Sequence, residues 1–146
     1  LMLDLDHFKQ INDAYGHAIG DAVLKHFAFI ASQTLRKIDL LGRLGGEEFA
    51  ALLPDTTMTG AYPLAERLRG IIMESPAMTG AGSIGFSVSI GVALLAQNDL
   101  DADAILIRAD RALYRAKNRG RNRVEMEKWD DNDRTSRRRT VTTRNQ

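Results

Sequence analysis

Apolar and polar positions alternate from the first residue: "LMLDLD" puts Leu3 and Leu5 on one side of an extended chain and Asp4 and Asp6 on the other. This predicts a short strand over Leu1–Leu5. Asp6 then reads as the N-cap of a short helix ending near Tyr15, with Phe8 and Ile11 on one face. "GHAIGD" breaks that helix with two glycines. From Asp21, a second candidate N-cap, Leu24, Phe27, Ala28, Ala31, Leu35 and Ile38 recur at helical spacing. Leu40–Leu44 and Glu47–Leu53 are short apolar runs around Gly45-Gly46, the signature of a tight hairpin, which Pro54 ends. Thr59–Glu74 predicts a helix with Pro63 in its first turn and Leu64, Leu68, Ile71 and Ile72 inward. "MTGAGSIG" reads as a loop. Phe86, Val88, Ile90 and Val92 alternate with Ser87, Ser89 and Gly91, which predicts a strand with one buried face. Asp103 caps a helix to about Asn118, striped by Ile105, Ala109, Ala112, Leu113 and Ala116 and stopped by Gly120. Arg123–Met126 reads as a last strand.

The order is βαββαβ, an α+β plan of the ferredoxin-like kind. Its sheet is rich in antiparallel pairs, with helices packed on one face. The expected domain is 1–126. From Glu127 the chain turns polar and mixed in charge, which reads as a disordered tail with little to bury. The "RRR" within it, Arg137–Arg139, could touch an anionic surface, but a solvated tail is the favoured reading.

Composition narrows the function classes. The 146 residues suit one domain, and 44% apolar with 27% charged residues is ordinary for a globular protein. A net charge of +1 gives no whole-protein field, so nothing here argues for a nucleic acid polymer or a membrane surface. The absence of cysteine removes disulfides, thiolate nucleophiles and cysteine zinc sites, and it fits a reducing compartment. No apolar run reaches the roughly 20 residues of a membrane span, and the acidic start is unlike a signal peptide. A cytoplasmic location is expected. A buried strand with no polar lead-in also suggests a piece of a longer protein.

The candidate chemistry gathers at the hairpin. Asp4 sits in an otherwise apolar strand, where an unpaired carboxylate would cost several kcal/mol to bury. Glu47 and Glu48 follow the Gly-Gly turn, and in a βαββαβ sheet the first strand commonly lies beside that hairpin. The three acids would then meet at one end of the sheet. Clustered carboxylates need a cation among them, and Mg²⁺ takes oxygen ligands from carboxylates and phosphates. A pair of Mg²⁺ about 3.5–4 Å apart can activate a hydroxyl and stabilise a leaving oxygen in phosphoryl displacement. The plain alternative is a solvated hairpin with charged ends. Lys117 and Arg121 stand four apart where the last helix ends and could face a triphosphate, although helix dipoles favour cations there in any case. Lys9, Asn12 and Asp21 lie in the polar stretch after the first strand. An Asn–Asp pair can read a guanine edge, and Gly16 and Gly20 would let backbone approach a ligand. Capping by Asp21 is the competing reading, and both can hold. His7, His17 and His26 lack metal-ligand spacing.

At these residues the sequence resembles a known family. "DLDHFKQINDAYGHAIGD", "RKIDLLGRLGGEEF", "SVSIGVA" and "ADRALYRAKNRGRN" are similar, in order and spacing, to the GGDEF domain of diguanylate cyclases in its GGEEF form. The likeness runs from Leu1 to about Val124. It implies a fold similar to class III nucleotide cyclases and polymerase palms. It implies that two GTP condense to cyclic di-GMP with release of two pyrophosphates across an antiparallel homodimer. By position, Asp4, Glu47 and the Leu5 carbonyl would hold Mg²⁺ or Mn²⁺, two per site. Glu48 would be a ligand or would help deprotonate the 3′-hydroxyl. Gly45 and Gly46 would admit the α-phosphate, and Asn12 and Asp21 would read guanine. Phe8 and Lys9, partly through backbone N–H groups, would hold the terminal phosphates with Lys117 and Arg121. "RKID" supplies Arg36 and Asp39, with five residues between Asp39 and Gly45, similar to the family's RxxD inhibitory site for the product, with Arg67 as a further arginine. The upstream "DxLTGLxNRR" segment of the family, which packs on the domain and contributes to the nucleotide pocket, is absent from this sequence. The resemblance also implies that the input signal comes from an upstream sensory or receiver domain in the full-length protein. Arg111 stands where the family often has an acid or lysine. The alternatives are a module that binds cyclic di-GMP without catalysis and a cyclase of different base choice.

Overall fold

A computed structural model describes residues 1–128. The chain runs β1 (Met2–Leu5), α1 (Phe8–Tyr15), α2 (His17–Thr34), β2 (Leu40–Gly45), β3 (Glu48–Leu52) and α3 (Met58–Glu74). It continues as β4 (Ala77–Thr79), β5 (Gly82–Ile84), β6 (Val88–Val92), α4 (Ala102–Asn118) and β7 (Val124–Met126). The main sheet has the order β2-β3-β1-β6-β7. β1 is buried along its length because it is central, antiparallel to β3 on one edge and β6 on the other. The first four strands in that order make the expected ferredoxin-like α+β sheet, and β7 extends it by pairing parallel to β6.

Alternation sorts the side chains into two cores rather than one. Leu3, Leu5, Phe49, Ala51, Val88, Ile90 and Val92 face α1, α2 and α3, where Phe27 and Leu68 are fully buried. Burying each such side chain contributes about 1.5–3 kcal/mol. Met2 points the other way and packs with Ala109 and Leu113 of α4, beside Ala50 and Ala93. Helices therefore cover both faces, not one. The small residues Ser89 and Gly91 look like a solvent face in sequence. They are the floor on which α4 lies: a Cβ at Gly91 would stand 2.1 Å from the Ala109 carbonyl oxygen. β6 is buried on both faces as a result.

Other expectations need correction. Asp6 caps no helix. α1 starts from His7 in a left-handed conformation with no side-chain cap. Asp21 is not an N-cap either, because α2 begins at His17 and runs through Gly20. Gly16, at φ 88°, is the break, whereas Gly20 is where α1 and α2 touch. The cap of α4 is Asp101, whose carboxylate accepts the Ala104 N–H, with Asp103 in the first turn. "MTGAGSIG" forms the β4–β5 hairpin instead of a loop. Glu127, placed in the tail by composition, is bound by the Leu94 N–H and by Arg108, so the folded unit extends past Met126. The rest of the expected tail, including Arg137–Arg139, lies outside the described residues. Among the described residues no helix is long and apolar enough to cross a membrane.

Candidate active site

The sheet brings the acids together by register. Asp4 on β1 is directly opposite Glu48 on β3, and the Leu5 N–H donates to the Glu47 carbonyl at 3.3 Å. The hairpin turns at Gly46, φ 52°, a conformation that favours glycine. No atom lies within 4 Å of where its Cβ would stand, so the outer side of the turn is open to a ligand. Arg43 braces the turn from behind, its Nε donating to the Gly46 carbonyl at 2.8 Å.

Asp4 is 6% exposed, and its Oδ2 accepts a hydrogen bond from Lys117 Nζ at 2.7 Å. Burial pushes the Asp4 carboxyl above its ordinary range; the Lys117 hydrogen bond and charge oppose that shift, and the neighbouring Glu47 and Glu48 charges add to it. Among the described residues, no three acidic, histidine or cysteine side chains converge closely enough to hold an ion in this arrangement. The donor set nevertheless fits a hard divalent cation: carboxylates of Asp4, Glu47 and Glu48 with a backbone carbonyl at Leu5, all oxygen. The Lys117 ammonium now supplies the positive charge that such a cation would bring.

The end of α4 is built to place Lys117 and Arg121. Gly120, at φ 116°, donates to the Lys117 carbonyl at 3.4 Å, and Arg121 N–H donates to the Ala116 carbonyl at 3.0 Å. This pair of bonds is the Schellman closure of a helix C-terminus. Asn122 N–H then donates to Asp6 Oδ2 at 2.9 Å. The same carboxylate accepts Ser87 Oγ at 2.7 Å and Ser89 Oγ at 2.6 Å.

Asn12 reaches across from α1 to α2. Its Oδ1 is buried and has no hydrogen-bond partner among the described residues, and a Cβ on Gly20 would stand 1.8 Å from it. An orphaned buried acceptor beside a glycine is what a ligand N–H would satisfy. Asp21, on the next residue of α2, is exposed. Phe8 is buried beneath this corner, whereas Lys9 is exposed and makes only a 4.0 Å contact with Asp13. The first turn of α1 has no side-chain cap, so its leading N–H groups stay available to an anion.

A second polar cluster lies at the other end of β2. The Asp39 side chain is fully buried and accepts the Arg36 N–H at 2.8 Å and Arg36 Nη2 at 2.8 Å. The Arg36 guanidinium beside it holds its carboxyl below the usual range. Arg36 Nη2 also reaches Thr56 Oγ1 and the Pro54 carbonyl. Arg36 and Arg67 line one cleft of about 390 Å³ with Thr56, Gly60, Pro63 and Leu64.

The family model described as "Diguanylate cyclase, GGDEF domain" matches residues 1–123. The chain is a GGDEF domain. It is 44% identical over 128 residues to diguanylate cyclase A of Treponema denticola, covering 88% of this chain and 34% of that protein. In structure it is similar to the active GGEEF domain of a diguanylate cyclase from Vibrio cholerae. That likeness has TM-score 0.82 and 36% identity, over 88% of this chain and 81% of that one. It is similar also to the GGDEF domain of DgcB from Caulobacter crescentus in complex with cyclic di-GMP. There the TM-score is 0.81 and the identity 31%, over 86% of this chain and 74% of that one. The chain spans about a third of the length of the curated relatives it matches.

In this GGDEF domain the structure gathers Asp4, Glu47, Glu48, Gly46 and Lys117 at one end of the sheet, with Asn12 and Asp21 on the adjoining helix pair. Sequence reasoning missed Asp6, Ser87, Ser89 and Asn122 as a connected group. A signal existed: an acid in an apolar strand, and two serines alternating in another, each need a partner once buried.

Proposed function

We propose that this GGDEF domain is a diguanylate cyclase, condensing two GTP into cyclic di-GMP with release of two pyrophosphates. The observation that carries the reading is the register of β1 on the glycine hairpin, with Asp4 opposite Glu48 and Lys117 bonded to Asp4. Each chain holds one GTP. Asn12 and Asp21 read the guanine edge, with the orphaned Asn12 Oδ1 accepting from the base. Gly45 and Gly46 let the hairpin backbone approach the α-phosphate. The first-turn N–H groups of α1 at Phe8 and Lys9, together with Lys117 and Arg121, take the terminal phosphates. Asp4, Glu47, Glu48 and the Leu5 carbonyl would hold Mg²⁺ or Mn²⁺, two per site, which supplies charge neutralisation at the phosphates and acidifies the 3′-hydroxyl. Glu48 is either one of those ligands or the acceptor of the hydroxyl proton.

Two chains face each other antiparallel. Each 3′-oxygen attacks the α-phosphorus held by the partner, forming one P–O bond. The α–β anhydride bond breaks and pyrophosphate leaves. The product returns to Arg36, Asp39 and Arg67, whose paired guanidinium forks suit phosphates and guanine edges. The full-length protein supplies an upstream sensory or receiver domain and works in the cytoplasm.

The test is incubation with GTP and Mg²⁺ at high protein concentration, reading nucleotides by chromatography. Cyclic di-GMP and pyrophosphate in a one-to-two ratio, both lost in Glu47→Ala, are expected. Cyclic di-GMP bound tightly but never made, with the upstream segment restored, would replace the enzyme by a binding module.

A further inference from the structure

We propose that Asp6 and Arg69 are positioning residues for the substrate's terminal phosphates, acting by holding Asn122 from two sides and so fixing the turn that carries Arg121. The inference rests on the reading of Arg121 as a phosphate contact.

The turn itself is unusual backbone. Gly120, Arg121 and Asn122 have φ of 116°, 62° and 44°, three left-handed residues in a row, of which only the first is glycine. Such a stretch persists only where its surroundings hold it. The surroundings here are specific. From the sheet side, Asp6 Oδ2 accepts the Asn122 N–H at 2.9 Å. From α3, Arg69 Nη1 donates to Asn122 Oδ1 at 3.0 Å, and Arg69 is itself steadied by Glu66 at 3.0 Å. Arg123 Nε closes the far side on the Arg121 carbonyl at 3.2 Å.

Asp6 is placed for this and not for binding an ion. Its side chain is buried, Oδ1 is taken by Ser89 Oγ and Oδ2 by Ser87 Oγ and the Asn122 N–H. Three donors on two oxygens leave little acceptor capacity for a metal. The two acids of "DLD", two residues apart, therefore divide the work. Asp4 points into the open end of the sheet, and Asp6 ties β1, β6 and the segment after α4 into one rigid corner. A buried carboxylate accepting hydrogen bonds from three donors is a strong fixture. Removing its charge loosens the one backbone N–H that sits beside Arg121.

The experiment measures binding of two nucleotides to the chain by calorimetry. One is 3′-deoxy-GTP, which has no attacking hydroxyl and cannot turn over. The other is GMP, which lacks the terminal phosphates. Asp6→Asn and Arg69→Met should each weaken 3′-deoxy-GTP about tenfold while changing GMP less than about twofold. Arg121→Ala should do the same. Asp6→Asn combined with Arg121→Ala should be no weaker than Arg121→Ala alone, because both act through one contact. Equal losses for both nucleotides, or fully additive losses, would show general softening and overturn the inference. So would unchanged affinity in a folded Asp6→Asn protein whose Arg121→Ala counterpart is weakened. If Arg121→Ala changes nothing, the phosphate reading of Arg121 fails first and takes the inference with it. Should Asp6→Asn not fold, Arg69→Met, on the partly exposed side of α3, decides by the same readout.

Discussion

Lys117 and Gly20 each show what a single residue does before any ligand arrives. Lys117 neutralises Asp4, whose side chain is 8% exposed while the lysine is 31% exposed. Lys117→Met leaves a buried carboxylate without its donor and should cost about 1–3 kcal/mol in urea unfolding. Added Mg²⁺ should raise the Tm of that variant more than the Tm of the parent, because the cation has no ammonium to displace. A variant as stable as the parent and indifferent to Mg²⁺ would mean that Asp4 needs no cation at all. Gly20 does the opposite service, by leaving space. Alanine there gains helix propensity but drives its Cβ into Asn12 Oδ1, the flexible end of a side chain. The same Cβ would stand 3.2 Å from Cζ of the buried Phe8 ring, so the fold should survive Gly20→Ala at a cost of about 1–2 kcal/mol. Guanine nucleotide affinity should fall about fivefold to tenfold, the worth of one hydrogen bond to a buried acceptor. Retained affinity in calorimetry would remove Asn12 from the base pocket.

At the scale of elements, α4 is fixed to the sheet by a clamp that charge patterning alone does not announce. Arg108 bonds Asp99, Glu127 and the Leu94 carbonyl, joining α4 to the 93–101 connection and to the end of β7. The Arg108 hydrogen bond lowers the Asp99 carboxyl from its ordinary 3.8 to about 2, helped by the Ala96 N–H. A folded-state value below the unfolded one gives stability that is complete above about pH 4 and lost as pH falls toward 2. Asp99→Asn should therefore show its largest Tm deficit at neutral pH, and the deficit should close between about pH 4 and pH 2. A deficit constant across that range would mean Arg108 holds the loop without Asp99. The same element marks where sequence reading reached its limit. Periodicity found α4, its stripe and its end at Gly120, because those are local. It could not say that the stripe lies on the reverse of the sheet, because Ser89 and Gly91 look like solvent positions until a helix backbone is laid against them. Asp6, Asp21 and Asp103 misled for one reason: an acid before an apolar run is a good cap, but Asp6 was drawn to Ser87, Ser89 and Asn122, contacts more than eighty residues away. The acids around the Gly-Gly turn were legible because the hairpin is local and the βαββαβ plan lays the first strand beside it, so that Asp4 meets Glu48 although they are far apart in sequence.

At the scale of the whole molecule, two of the polar clusters among the described residues stand at opposite ends of β2. β2 is six residues long, about 20 Å at 3.4 Å per residue. Arg36 and Asp39 precede it, and Glu47 and Glu48 follow the turn at its other end. A product bound at the first site cannot touch a triphosphate at the second on the same chain. Under the proposed cyclase reaction, in which each chain would hold one of the two GTP consumed, inhibition by product would then act on how two domains meet, and catalysis would depend on that meeting. Turnover per chain should accordingly rise with protein concentration and level off as dimer forms, a second-order dependence at high dilution. Cyclic di-GMP should depress the whole curve, and Arg67→Ala, which loses one guanidinium from the cleft, should need about tenfold more product for the same depression. Initial rates over a wide dilution series, with and without product, read both effects at once. Turnover per chain that stays constant on dilution would mean a single chain completes both bond-forming steps, and the antiparallel arrangement would have to be abandoned.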